Sequence, residues 1–316
     1  MKIIRRVINL LSSSYLIKIT SNPCNHYGHF LNDCVWPLYD WLSLKKLLDK
    51  KHVTLYFHHY NFPDNDKNPA IYLKLLNLIF TPKISLIKAK DASCLRVVKL
   101  RGFSSARLKS DSNLPLMLLE DGFSEKRIIE TYGLLFPEKQ KYLSNLQKYF
   151  FERFKVKVRT LPKYIILIER AEGFNDQGKA RRFIDNHDEI KNSLQAFCAD
   201  GKYEFVNVKL EEIAFDRQIE LFANAKLVVA QHGAGLVNLL FAPEGCGVIE
   251  LGNNAYGCFK YFCSFFGMRY LNYPFYSSRA VNATVDLLVP KHLEAANKAI
   301  TVDSSGLIKA IYEYFK

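Results

Sequence analysis

The segment Leu227-Val228-Val229-Ala230-Gln231-His232-Gly233-Ala234-Gly235-Leu236-Val237-Asn238 runs from an apolar stretch through a glycine-bearing turn into a helical pattern. The first backbone N–H groups of a helix lack partners within it, and the helix dipole adds partial positive charge there. Glycines let an anion approach that backbone closely, so a phosphate or pyrophosphate is the guest such a turn could hold. The spacing matches neither the dinucleotide GxGxxG pattern nor a Walker loop. A plain tight turn is the competing reading, and His232 competes between a ligand role and a structural one.

Other candidates surround this turn. Glu250 closes the apolar run Val248-Ile249-Glu250-Leu251, where a carboxylate could accept hydrogen bonds from ribose hydroxyls or simply be a solvated strand-end acid. Arg170 ends the apolar run Tyr164 to Ile168, and Arg181-Arg182 follow a polar loop. Arginine forks suit diphosphate oxygens, although charged positions also serve as solvated surface. Far upstream, His26-Tyr27-Gly28-His29-Phe30-Leu31-Asn32-Asp33 stands out. In a helix starting near Gly28, His29 and Asp33 sit one turn apart on one face. An imidazole and a carboxylate so placed could act as a base with an orienting partner. Local packing in an aromatic-rich helix is the alternative. His26 and His29 also have the spacing of a metal set, but no clear further ligand accompanies them, so no metal site is expected.

The elements that must position these residues follow from periodicity. In the C-terminal half, apolar runs alternate with helical patterns. Strands are predicted at Tyr164 to Ile168, Glu204 to Val208, Leu227 to Ala230 and Val248 to Leu251. Helices are predicted at His187 to Ala199, Phe215 to Ala225, Leu236 to Phe241 and Tyr256 to Phe266. That alternation implies a parallel sheet covered on both faces. The N-terminal half is less regular. It predicts helices at Phe30 to Leu48, Ala70 to Phe80 and Ser124 to Phe136, with strands at Val53 to Phe57, Ile84 to Ile87 and Cys94 to Leu100. A charged helical stretch, Glu138 to Arg159, is expected to bridge two lobes, residues 1–160 and 161–316. A last helix, Gly306 to Phe315, is expected to pack back on the N-terminal lobe.

Composition narrows the function classes. A chain of 316 residues, 49% hydrophobic and 24% charged, is long enough to bury two cores and reads as globular. The formal net charge of +13 favours phosphate-rich partners. The excess is spread along the chain without a nucleic-acid-binding module, so a nucleotide is favoured over nucleic acid, with a weak preference for an anionic membrane surface. Cys24, Cys34, Cys94, Cys198, Cys246, Cys258 and Cys263 form no regular framework, which predicts free thiols and a reducing compartment. The basic start Met1 to Arg6 imitates a signal peptide, but Asn9 and Ser12-Ser13-Ser14 break the apolar run that follows. A cytoplasmic location is the expectation.

Three blocks together resemble glycosyltransferase family 61, the family of plant arabinosyl- and xylosyltransferases and animal O-linked N-acetylglucosaminyltransferases. The first is Gly28 to Asp33 with Pro37-Leu38, and the second is Glu169-Arg170 with Arg181 to Asn186 and Glu189. The third runs from Phe215, Gln218, Leu221-Phe222 and Ala225 through His232 to Asn238, then Phe241, Pro243, Gly245 and Val248 to Leu251. The resemblance implies a GT-B fold, two Rossmann-like lobes facing a cleft, and an inverting transfer from a nucleotide sugar, usually UDP-linked. It implies no metal cofactor and a glycan or glycoprotein acceptor, with xylose or N-acetylglucosamine as the sugar. Asp33 is then the expected base with His29 contacting acceptor or sugar, the reverse assignment staying open. Arg170, Arg182 and the backbone of Gly233, Ala234, Gly235 and Leu236 would hold the pyrophosphate, His232 would reach phosphate or sugar, Asn238 would hold the loop or donor, and Glu250 the ribose. A non-catalytic nucleotide- or glycan-binding module of the same fold is the alternative.

Overall fold

The structure is a computed structural model that describes residues 14–19, 30–58, 68–87, 95–100, 139–170, 183–251, 258–273, 276–277 and 300–315. Its described residues up to Leu100 form one compact unit and those from Gln147 onward a second. Each unit is built on a wholly parallel sheet, as an α/β chain requires. The expected helix at Ser124 to Phe136 lies outside the described residues.

The first unit contains strands β1 (Ser14–Ile19), β2 (Thr54–His58), β3 (Lys83–Ile87) and β4 (Arg96–Leu100) in the order β3-β2-β1-β4. β1 lies inside the sheet, with Leu16 and Ile17 buried, although the sequence expectation holds no strand there. The helix after β1 opens as a π-helical turn, Phe30–Val35, and continues as α1, Trp36–Leu44. Pro37 falls in the first turn of α1, directly after the π-helical turn. Tyr15 near the start of β1 meets Trp41 near the end of α1 edge to face, centroids 5.0 Å apart. The helix therefore runs back against the strands, and its first residues, Asp33 among them, lie toward the sheet's C-terminal edge. Helix α2 (Asn68–Ile79) does the same, and its Tyr72 stacks on Phe30 at 4.6 Å.

The second unit follows helix α3 (Lys139–Arg153) and holds β5 (Tyr164–Ile168), α4 (His187–Phe197), β6 (Glu204–Val208), α5 (Phe215–Ala223), β7 (Ala225–Gln231) and β8 (Gly247–Leu251). Helix α6 (Cys258–Phe265) and strand β9 (Arg269–Tyr273) complete the sheet, ordered β6-β5-β7-β8-β9. All five residues of β5 are buried, as a strand covered on both faces requires. One face packs Ile165, Leu167, Leu227, Val229, Ile249 and Leu251 against Ile190 and Leu194 of α4. Helix α7 (Ser304–Phe315), expected against the N-terminal lobe, packs on α4 and adds Leu307 and Ile311 to this core. Its entry is fixed by Asn186, which bonds the backbone of Val302 in both directions at 2.7 and 3.0 Å.

The strand order reverses between β5 and β7: β6 lies to one side of β5, and β7, β8 and β9 extend to the other. Open parallel sheets bind ligands outside the strand C-termini at such a reversal, because the flanking connections there diverge and leave a crevice. Arg170 follows β5 and His232 follows β7, so both belong to this crevice.

Candidate functional site

The turn after β7 leads into a helix of 3-10 type, Ala234–Phe241, where a short helix over Leu236 to Phe241 is the sequence expectation. Every residue from Leu236 to Phe241 is buried. Its far end is held by Gln147 of α3, whose amide donates to the carbonyls of Leu240 and Ala242 at 2.9 and 3.0 Å. Phe241 fits among Phe150 and Phe215, with centroids 5.1 and 6.2 Å away. These contacts satisfy carbonyls that a helix end leaves open and fix the direction of the helix axis. The helix Lys139–Arg153, expected to bridge lobes, thus contributes a brace for the turn.

Two glycines are explained by space. The backbone at Gly233 is extended, with φ 165°, which any residue adopts. A Cβ there, however, would lie 2.6 to 2.9 Å from the guanidinium of Arg170. With no side chain at Gly233 the guanidinium sits against the turn, where Nη1 donates to the His232 carbonyl at 3.4 Å; a Cβ would push this flexible side-chain end aside. A Cβ at Gly235 would meet Leu210 Cδ1 at 2.9 Å, so this glycine lets the helix start sit close on Leu210. The result is an arginine and a helix N-terminus side by side at the strand reversal, which suits a diphosphate.

His232 is held from behind. Its Nδ1 lies 2.5 Å from Oε1 of Glu250 and its ring is tilted against Phe259, centroids 5.3 Å apart. With an ionised carboxylate, which only accepts, this contact places the proton on Nδ1. Glu250 is 1% exposed and lies within β8, paired between Ala230 and Asn272. Its second oxygen accepts from the Tyr270 hydroxyl at 2.6 Å. Burial, with the adjacent carboxylate adding to it, pushes the Tyr270 phenol well above its ordinary pKa, so it stays a donor. The acid expected at a ribose therefore meets a histidine and a tyrosine here. A lone acid inside an apolar strand is the signal that could have shown this, since a buried carboxylate needs partners. Tyr270 had no comparable signal.

Asn238 is likewise internal. It is 0% exposed and donates to Gln218 at 3.0 Å, and Gln218 donates to the carbonyls of Leu210 and Ile213. Next to Arg170, Glu169 accepts from Asn207 at 2.6 Å and pairs with Lys209 at 3.3 Å, while His187 bonds Asn207 at 2.9 Å. Burial alone would raise the Glu169 pKa, but these hydrogen bonds and charges outweigh it and hold the carboxyl below its usual range. Sequence reading gave Glu169 no role beyond its place in a motif.

Asp33 lies on the π-helical turn of the first unit. His29 and Arg182 lie outside the described residues, as do His26 and Arg181. Among the described residues no three His, Cys, Asp or Glu side chains gather as a metal set would, and no helix is long and apolar enough to cross a membrane. Cys34, Cys198, Cys246 and Cys263 are buried, and burial pushes the Cys198 and Cys246 thiols up to about 11 and about 12.

Comparison with known proteins agrees with this arrangement. The family model described as Glycosyltransferase 61 matches residues 27–249, well over half of the chain. The EGF domain-specific O-linked N-acetylglucosamine transferase of Drosophila melanogaster is 33% identical over 90 residues, 28% of this chain and 17% of that protein. The protein O-linked-mannose beta-1,4-N-acetylglucosaminyltransferase 2 of Bos taurus is 35% identical over 89 residues, 28% of this chain and 13% of that protein. Each alignment thus spans under a fifth of the relative's length. The chain belongs to the glycosyltransferase 61 family, which places it among the glycosyltransferases.

Proposed function

We propose that the chain is an inverting, GT-B-type glycosyltransferase that moves a sugar from a UDP-sugar to a glycan or glycoprotein hydroxyl, with the donor on the second unit. The observation that carries this reading is the Arg170 guanidinium lying flat against Gly233, beside His232 and the start of the 3-10 helix. Cation, backbone N–H groups and helix dipole together suit the charge that grows on a departing diphosphate. Two relatives have N-acetylglucosamine in their names, which makes UDP-N-acetylglucosamine the first donor to try and UDP-xylose the second.

In this reading Asp33 takes the proton from the acceptor hydroxyl, the acceptor oxygen bonds to the anomeric carbon, and the carbon–oxygen bond to UDP breaks on the opposite face. His29 contacts acceptor or sugar, and the two exchange roles if only His29 proves essential. Arg182 joins Arg170 at the diphosphate. Charge neutralisation by these groups means that transfer proceeds without a metal, so saturating EDTA leaves the rate unchanged. The buried thiols of Cys198 and Cys246, outside any disulfide, support a cytoplasmic, reducing setting.

The test is a thermal-shift screen with UDP-, GDP-, CMP- and dTDP-sugars. A ligand bound only by the folded chain adds about 2.7 kcal/mol at a hundred times its dissociation constant. A UDP-sugar should raise the melting temperature most, and silence from all four classes would sink the reading.

A further inference from the structure

Three neighbouring strands each place one polar side chain in a single line: His232 just after β7, Glu250 in β8 and Tyr270 in β9. The sheet register explains the alignment. Tyr270 pairs with Val248 and Asn272 with Glu250, and side chains alternate along a strand, so Tyr270 and Glu250 share a face. The opposite face carries Ile249 and Leu251 into the apolar core. Both carboxylate oxygens are used, Oε1 at 2.5 Å from His232 Nδ1 and Oε2 at 2.6 Å from the Tyr270 hydroxyl, while Glu250 itself is almost wholly buried.

A carboxylate removed from water is costly unless its oxygens are hydrogen-bonded. An imidazole gripped through Nδ1 has its proton position and ring plane fixed, as second-layer carboxylates do for histidines elsewhere. Phe259 limits the ring from the side. We propose that Tyr270 and Glu250 are positioning residues that act through His232, holding its Nε2 edge toward the diphosphate of the donor. This rests on the donor site proposed above and adds residues to it. The three side chains form one unit, so removing Tyr270's hydroxyl loosens the grip on His232 instead of removing a ligand contact.

Calorimetric binding of UDP and of uridine to the full chain tests this. Wild-type protein that binds neither overturns the donor site itself, and the inference with it. Where wild type binds UDP, Tyr270→Phe should weaken UDP by about threefold to tenfold, the scale of one ordinary hydrogen bond, and leave uridine unchanged. In a His232→Ala background the same substitution should have no further effect on UDP, because its action passes through the histidine. Glu250→Gln, which keeps size but replaces one acceptor oxygen with an NH2 donor, covers the case in which Tyr270→Phe does not fold, and should also weaken UDP alone. Equal loss for UDP and uridine, no loss for either, or full additivity with His232→Ala would overturn the proposal.

Discussion

The C-terminal edge of the second sheet and the helix after β1 in the first unit treat buried polar groups in opposite ways. At the sheet edge Glu250 has a partner on each oxygen, and Asn238 and Gln218 are tied into the loop below. On α1, Oδ1 of Asp40 is buried without a hydrogen-bond partner among the described residues, and desolvation pushes its pKa up to about 6. The first arrangement fixes geometry and adds stability together, because every desolvated atom is repaid by a bond. The second leaves a carboxyl whose charge the fold resists. A binding edge for anions can be rigid throughout, whereas α1 carries a charge at a cost to stability.

The sharpest way to break this comparison is at Asp33, at the start of that same helical stretch. Asp33→Asn should lower transfer by about a hundredfold to ten-thousandfold, the usual worth of a general base, and leave UDP affinity unaltered. Steady-state kinetics beside calorimetry would show it, and full activity in this variant and in His29→Ala would remove the first unit from the chemistry. Gly233→Ala comes next. Its new methyl would collide with the Arg170 guanidinium, so UDP binding should weaken by about tenfold or more with little change in secondary structure by circular dichroism.

Smaller effects concern stability. Asp40 has a folded-state pKa raised from about 3.8 to about 6, so its charged form is disfavoured by the fold. Below both values it costs nothing; the cost grows as pH rises through that window and is complete above it. Asp40→Asn should therefore stabilise the protein by about 1–2 kcal/mol at pH 7.5 and by nothing near pH 4, as read from denaturant unfolding at both pH values. An equal effect at both would show that Asp40 carries no such cost. Gln147→Ala, which leaves the carbonyls of Leu240 and Ala242 without their donor, should cost about 1 kcal/mol in the same assay.

Much of the second unit is legible in the sequence because its central strands β5, β7 and β8 are buried on both faces. Tyr164 to Ile168 marks itself by unbroken apolar character and Val248 to Leu251 by a run that only Glu250 interrupts, and β5 coincides with its prediction. β1 and β9 escape for the opposite reason. Ser14-Tyr15-Leu16-Ile17-Lys18-Ile19 and Arg269-Tyr270-Leu271-Asn272-Tyr273 mix polar and apolar residues, and only pairing with neighbours makes them strands. Among site residues, Arg170 and the glycine turn are readable from their position at strand ends. The inward role of Asn238 and the partners of Glu250 depend on residues 20 positions away in each case, Gln218 and Tyr270, and local pattern holds no record of that distance.

By itself, then, the order of residues determined an α/β chain, a family, and a glycine turn after an apolar strand suited to a phosphate, because periodicity and backbone freedom are local properties. Tertiary structure decided why Gly233 is a glycine, namely the arginine lying on it, and why Glu250 faces His232 and Tyr270. Those facts follow from strand order and register, which bring β5, β7, β8 and β9 side by side, and sequence spacing alone does not set which strands become neighbours.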